Sequence, residues 1–403
     1  MITDPRCRRL AQAWLVGLFL ASWGLAPDLA SAAGLRTVTI AYVDRAEDEA
    51  YAASRGYEGV YDATLPSPFP GAALAVNDAK LVGQAIGVQF ALEHITLPAE
   101  ADAAAAINKL ASEKPLAGVL LDLPITETAA VANGLSGVSI PLFQARHRDT
   151  LLRQATCRSH LFHTLPSWDM LEDALAQSLV ARNWRRILVL ESAEADDKAV
   201  SAAFQRSAAK FGLAIAGVKT FVGGHDPRQR ESNNLRLLTG DADYDVVFVA
   251  DAAGDFARAL PYNTALPRPV IGAAGLMPVA WHAFWERQGA PQLNRRFAKA
   301  SKRAMTEADW ATWAAVRAII EATVRSKDHA ATSLLDGLTD PALTLELYKG
   351  NAGSFRPWNR QLRQPILLAT VSTVAGFAPV EGMLHQSNTL DTLGLDAPEF
   401  ACP

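Results

Sequence analysis

Beyond residue 35 the chain alternates short, nearly unbroken apolar runs with longer helical ones. A strand with one wet face alternates apolar and polar residues, whereas "GVLL" and "VVFV" need cover on both faces. "TVTIAYVD", "IGVQFALEHI", "LAGVLLD" and "VSIPLF" make a first series. Between them lie helical stretches: "GAALAVNDAKLVG", "AEADAAAAINKLASE", and "TETAAVANGL" with Thr126 as its cap. A second series opens where Ser167 caps "WDMLEDALAQSLVARN", in which Leu171, Leu175 and Leu179 mark one buried face. The strands "RRILVLE", "LAIAGVKTF", "YDVVFVAD" and "RPVIGAA" follow, with "KAVSAAFQRSAAKFG", "RESNNLRLLTGDA" and "GDFARALPY" as helices. The pattern specifies an α/β fold of two Rossmann-like lobes, each a parallel sheet between helical layers. Residues 293–326 read as helical throughout, with Trp313, Val316, Ile320 and Val324 on a core stripe. A late β-rich segment, "QPILLATVSTVAGFAPV", precedes a polar tail.

Four of the apolar runs end on an acid: Asp44, Asp122, Glu191 and Asp251. In open parallel sheets, ligands bind outside the carboxyl ends of the strands. Two acids per lobe, facing across a cleft, would favour a cation, a metal complex or a hydroxyl-rich ligand. Gln144 and Arg146, after the fourth strand, and Ser192, after the strand ending at Glu191, complete the candidate ligand set. The competing reading is local: an aspartate after a strand often caps the next helix or closes a turn. Arg146 could equally neutralise Asp122.

The first residues differ in kind. Arg6, Arg8 and Arg9 precede "LAQAWLVGLFLASWGLA", and Ala30-Ser31-Ala32 follows, the pattern of a cleaved secretory signal over residues 1–32. Its loss removes three arginines and two aspartates and turns the formal charge of −4 into −5. Neither charge nor any basic block suggests nucleic acid. Export leaves Cys157 and Cys402, two thiols in an oxidising compartment, for which a disulfide is expected. "CRSHLFH" sets Cys157, His160 and His163 at metal-like spacing, but no second cluster completes a tetrahedral site, and structural roles are assigned to the histidines. "DRAEDEA" lacks the glycine of a calcium loop and reads as a solvated loop. No G-x-S-x-G, H-E-x-x-H, Walker or G-x-G-x-x-G motif appears, so no catalytic residue, metal or cofactor is assigned.

The export signal, the two α/β series and the late helix "FAKASKRAMTEADWATWAAVRAIIEATV" together resemble the type I periplasmic binding proteins, which include the leucine and branched-chain amino acid receptors of ABC transporters. "FRPWNRQLRQPILL", "EGMLHQSNTLDTLGLDAPEFAC" and "DWATWAAVRAIIEA" are similar to the substrate-binding proteins of PQQ-dependent alcohol dehydrogenase systems. The resemblance implies a periplasmic, monomeric receptor that closes on a small molecule and presents it to a membrane permease. It implies discontinuous lobes joined by a multi-strand hinge: 33–153 with 282–348, and 154–281 with 349–385, followed by a tail over 386–403. The amino-acid receptors hold the ligand carboxylate with small hydroxylic residues, where this chain has "DLPITET" and "QARHRD". Asp122 and Glu127 would oppose a carboxylate. A sensory module on the same fold, or a binder of a metal ion or complex, are the alternatives these residues allow.

Overall fold

A computed structural model describes residues 35–400, apart from 52–53, 56–61, 64, 155, 224–232, 241–242, 327 and 329. The proposed signal segment and Cys402 lie outside the described residues. Two parallel sheets dominate. The first has five strands in the order Val88–Leu97, Arg36–Arg45, Leu116–Asp122, Leu142–Gln144 and Leu161–His163. The second has four, in the order Val270–Gly272, Val246–Ala250, Arg186–Glu191 and Ala214–Thr220.

Each sheet is covered on both sides, as the unbroken apolar runs require. In the first, Ile40, Tyr42 and Leu120 pack towards the helices Phe69–Asp78, Ala290–Ser301 and Glu307–Arg325. Ala41, Val43, Val119 and Leu121 point the other way, towards Ala103–Glu113 and Ile125–Gly134. That is the strand period of two at work. In the second sheet, Ile187, Val189 and Phe248 face the helices Trp168–Ala181 and Ala195–Lys210, while Leu188, Leu190 and Val249 face Tyr244 and Leu260. Helix Phe69–Asp78 lies so close to Glu307–Arg325 that a Cβ on Gly71 would sit 2.0 Å from the Asp309 carbonyl oxygen. Only glycine allows that approach.

Between the sheets runs a small antiparallel one: Met277–Val279, Ile366–Ala369 and Val374–Ala378. Its central strand alternates between the two bodies, Leu367 joining the first core and Ile366 and Leu368 the second. Buried amides tie the neighbouring segments together. Gln361 Nε2 donates to the carbonyls of His163 and Leu165, and Gln364 Nε2 to that of Thr164 at 2.7 Å. Arg153 Nε donates to Gln361 Oε1 at 2.8 Å, and burial pushes the Arg153 pKa down to about 9.

Several local expectations are corrected. The Ile125–Gly134 helix has Pro124, not Thr126, at its N-cap position. The long late helix is two helices: Lys302 takes a left-handed backbone (φ 62°), and Thr306 with Asp309 forms a capping box that starts the second. Val324 is exposed, outside the core stripe. In "RESNNLRLLTGDA" the described part holds a single turn, Leu235–Leu238. "LFH" (Leu161–His163), within the metal-like spacing of "CRSHLFH", is the fifth strand of the first sheet. The tail is pinned: Arg356 and Arg363 both bond the buried Asp391, at 2.8 and 2.9 Å, and Gly394 N–H donates to Asp173 Oδ2.

Candidate functional site

At the carboxyl edge of the five-stranded sheet, parallel register sets Asp44 directly beside Asp122. Tyr42, two residues before Asp44, shares its face. Its hydroxyl donates to Asp122 Oδ2 at 2.7 Å, and the Tyr51 hydroxyl, on the short Glu49–Tyr51 helix, donates to Oδ1 at 2.6 Å. Arg146 Nη1 stands 3.6 Å from Asp122 Oδ1, but its fork is spent on Asp48, with bonds of 2.5 and 2.9 Å. Its guanidinium also lies 5.4 Å from the centre of the Tyr51 ring. Asp44 Oδ2 meets His94 Nε2 at 2.7 Å, while the buried Oδ1 has no hydrogen-bond partner. His94 in turn stacks on Phe69, with ring centres 4.2 Å apart.

The electrostatics follow from burial and partners. Burial raises the Asp122 pKa, and the bonds from Tyr51 and Tyr42 only partly offset it. Burial also works against ionisation of Asp48, but the Arg146 bonds and the Ala50 N–H outweigh it, and its pKa is lowered. Both tyrosines are pushed up, by burial first and by the Asp122 charge second. Asp48 and Asp122 therefore share the Arg146 guanidinium, while Asp44 turns to His94. Such a rim accepts hydrogen bonds and opposes anions.

Gln144, fully buried, works differently: its Oε1 accepts from the N–H groups of Arg146 and His147, and its Nε2 donates to the His147 carbonyl and meets His163 Nδ1. It shapes the turn that presents Arg146. The solvated-loop reading of "DRAEDEA" is corrected at Asp48, whose side chain is only 4% exposed. Sequence reasoning missed Asp48, Tyr42, Tyr51 and His94. Strand parity with Asp44 was the available signal for Tyr42.

The carboxyl edge of the four-stranded sheet is built otherwise. Lys198 Nζ bonds Glu191 Oε1, and although burial opposes it this pairing holds the Glu191 pKa down. Ser192 Oγ donates to Asp197 Oδ2 at 2.5 Å and accepts the Glu194 N–H. Asp251 accepts from the N–H groups of Gly254 and Ala257, at 3.0 and 2.8 Å, and so closes the following turn. A cavity of about 310 Å³ opens at this edge, lined by Asp251, Glu194, Asp196, Asp197 and Asp255 and by Phe221 and Phe256. The two rings stack with centres 3.9 Å apart. Elsewhere, Cys157 is buried and engaged, and the histidines of "CRSHLFH" are buried too. Among the described residues, no group of histidine, cysteine and acid side chains is placed to hold a metal ion.

Two parallel α/β bodies joined by an antiparallel crossing sheet make this the type I periplasmic binding protein fold. Solved structures of similar fold include an ABC transporter substrate-binding protein from Sphaerobacter thermophilus (TM-score 0.65, 15% identity, covering 83% of this chain and 93% of that one). Another is a branched-chain amino acid transporter substrate-binding protein from Streptococcus pneumoniae in complex with isoleucine (0.61, 16%, 85% and 99%). A third is an ABC transporter solute-binding protein from R. palustris in complex with benzoate (0.61, 11%, 91% and 99%). No protein-family model and no curated protein matches the chain.

Proposed function

We propose that this chain is the periplasmic solute-binding protein of an ABC transporter, exported by residues 1–32, that captures a small polar ligand between its two bodies and delivers it to a permease. The reading rests on the fold and on Asp122, a buried carboxyl group held by two tyrosine hydroxyls beside an arginine already engaged by Asp48. A ligand carboxylate would meet Asp44, Asp48 and Asp122 with no uncommitted arginine or lysine among the described residues of this rim to receive it. A neutral or cationic donor-rich molecule, such as a polyol, alcohol or amine, suits this rim better, with Asp44 Oδ1 as a waiting acceptor. Asp44 and Asp122 would touch the ligand, Arg146 would position Asp122 and Tyr51, and Gln144 and Ser192 would hold loops. Glu191 and Asp251 would act across the cleft through charge.

The lobes would comprise 33–153 with 282–348 and 154–281 with 349–385, the receptor acting as a monomer. A Cys157–Cys402 disulfide would fasten the tail over 386–403, and no cofactor would be needed. The likeness of the C-terminal motifs links the role to PQQ-dependent alcohol oxidation. Closure would follow from contacts made to both lobes at once. The test is thermal-shift screening of matched alcohols, polyols, amines and carboxylic acids, since a ligand of the native state raises Tm with its saturation. Donor-rich neutral or cationic compounds should raise Tm. Stabilisation by the carboxylic acids alone would refute the ligand class.

A further inference from the structure

A second cavity, of about 480 Å³, lies away from both carboxyl edges. Arg158 and Ser159 line it just before the strand Leu161–His163, at the amino end of the first sheet, and the turn Pro357–Arg360 closes it. Its volume is that of an ordinary small-molecule site. The chain carries a net negative charge, yet this corner concentrates arginines.

Among the described residues, Arg158 and Arg360 are bound only by carbonyl oxygens. Arg158 Nη1 donates to the Cys157 carbonyl at 2.7 Å, and Arg360 donates from Nε to Ser159 at 2.8 Å and from Nη1 to Pro357 at 2.7 Å. Among the described residues neither has a carboxylate partner. Burial lowers the Arg360 pKa, and no acid offsets it. Trp358, between them in the lining, has a buried indole N–H without an acceptor. Two more guanidinium groups, of Arg356 and Arg363, lie 5.6 and 5.3 Å from its ring centre and share the single acid Asp391. A guanidinium fork matches the geometry of carboxylate and phosphate groups, so two of them lining one cavity on carbonyl contacts alone, beside an unused donor, offer charge and geometry to an anion.

We infer that this cavity binds a small anion bearing carboxylate or phosphate groups, with Arg158 and Arg360 as its charged ligands. The Arg360 carbonyl accepts the His163 N–H at 3.0 Å, so an occupant rests against the segments that cross between the two bodies. The site is independent of the cleft proposal, because it lies at the other end of the strands.

The experiment is isothermal titration of the full chain with inorganic phosphate and, separately, with citrate, at constant ionic strength set by chloride. Wild type should show saturable binding of one of them that chloride does not reproduce. Arg158→Gln removes one guanidinium that bonds only a neighbouring carbonyl, and should weaken that binding at least tenfold while the circular dichroism stays unchanged. Arg158→Lys, which keeps the charge and loses the fork, should fall between the two. Binding equal in wild type and Arg158→Gln, or no saturable binding of either anion, overturns the inference.

Discussion

The two carboxyl edges begin from the same local pattern and end differently. At the first, Asp44 and Asp122 stand side by side by register, and Asp122 gathers hydroxyls from 80 and 71 residues away in the chain. At the second, Glu191, Ser192 and Asp251 find partners within 7 residues of chain: Lys198, Asp197 and Glu194, then Gly254 and Ala257. A strand-end acid is bound by whatever donor lies within reach first. After Asp251 the chain turns at once and offers its own N–H groups. After Asp122 comes Pro124, which has no N–H, and the carboxyl group is left for side chains from a neighbouring strand and a short helix.

The largest effect is expected at Asp122. Asp122→Ala should weaken ligand binding by roughly ten- to a hundredfold, since it removes the acceptor shared by the Tyr42 and Tyr51 hydroxyls and frees the Arg146 side of the site. Calorimetry with the ligand identified by screening measures it, and unchanged affinity would remove Asp122 from the site. Asp251→Ala should act mainly on the fold: a loss of about 1–2 kcal/mol of stability, seen in urea unfolding, from two uncapped N–H groups, with a much smaller loss of affinity than at Asp122. A large affinity loss there would erase the contrast between the edges.

The smallest effect is in pH dependence. Because burial raises the folded-state pKa of Asp122, its protonated form favours folding. That contribution is complete below the ordinary aspartate range, near pH ~4, and is lost as pH rises through the raised value. Asp122→Asn should therefore gain stability relative to wild type on raising the pH from about 4 to about 7. Parallel unfolding midpoints for the two proteins across that range would contradict a raised Asp122 pKa.

Much of the architecture was legible because burial on both faces leaves a plain mark. "GVLL", "ILVL" and "VVFV" are strands with Asp122, Glu191 and Asp251 at or just past their ends. The fifth strand of the first sheet escaped notice because Leu161–His163 is too short to set a period and carries a histidine. The break at Lys302 escaped because helical propensity stays high across it, while the Thr306–Asp309 cap reads only locally. In the site, the acids could be found by position, but their partners could not.

Sequence alone determined that there are two parallel sheets and that acids stand at their carboxyl edges, because side-chain period and apolar run length are local quantities. Only the tertiary structure decided what each acid does. Asp48 pairs with Arg146 across 98 residues, and Tyr51 reaches Asp122 across 71. Such contacts depend on strand register and on loop paths over the sheet edge, which no local spacing encodes.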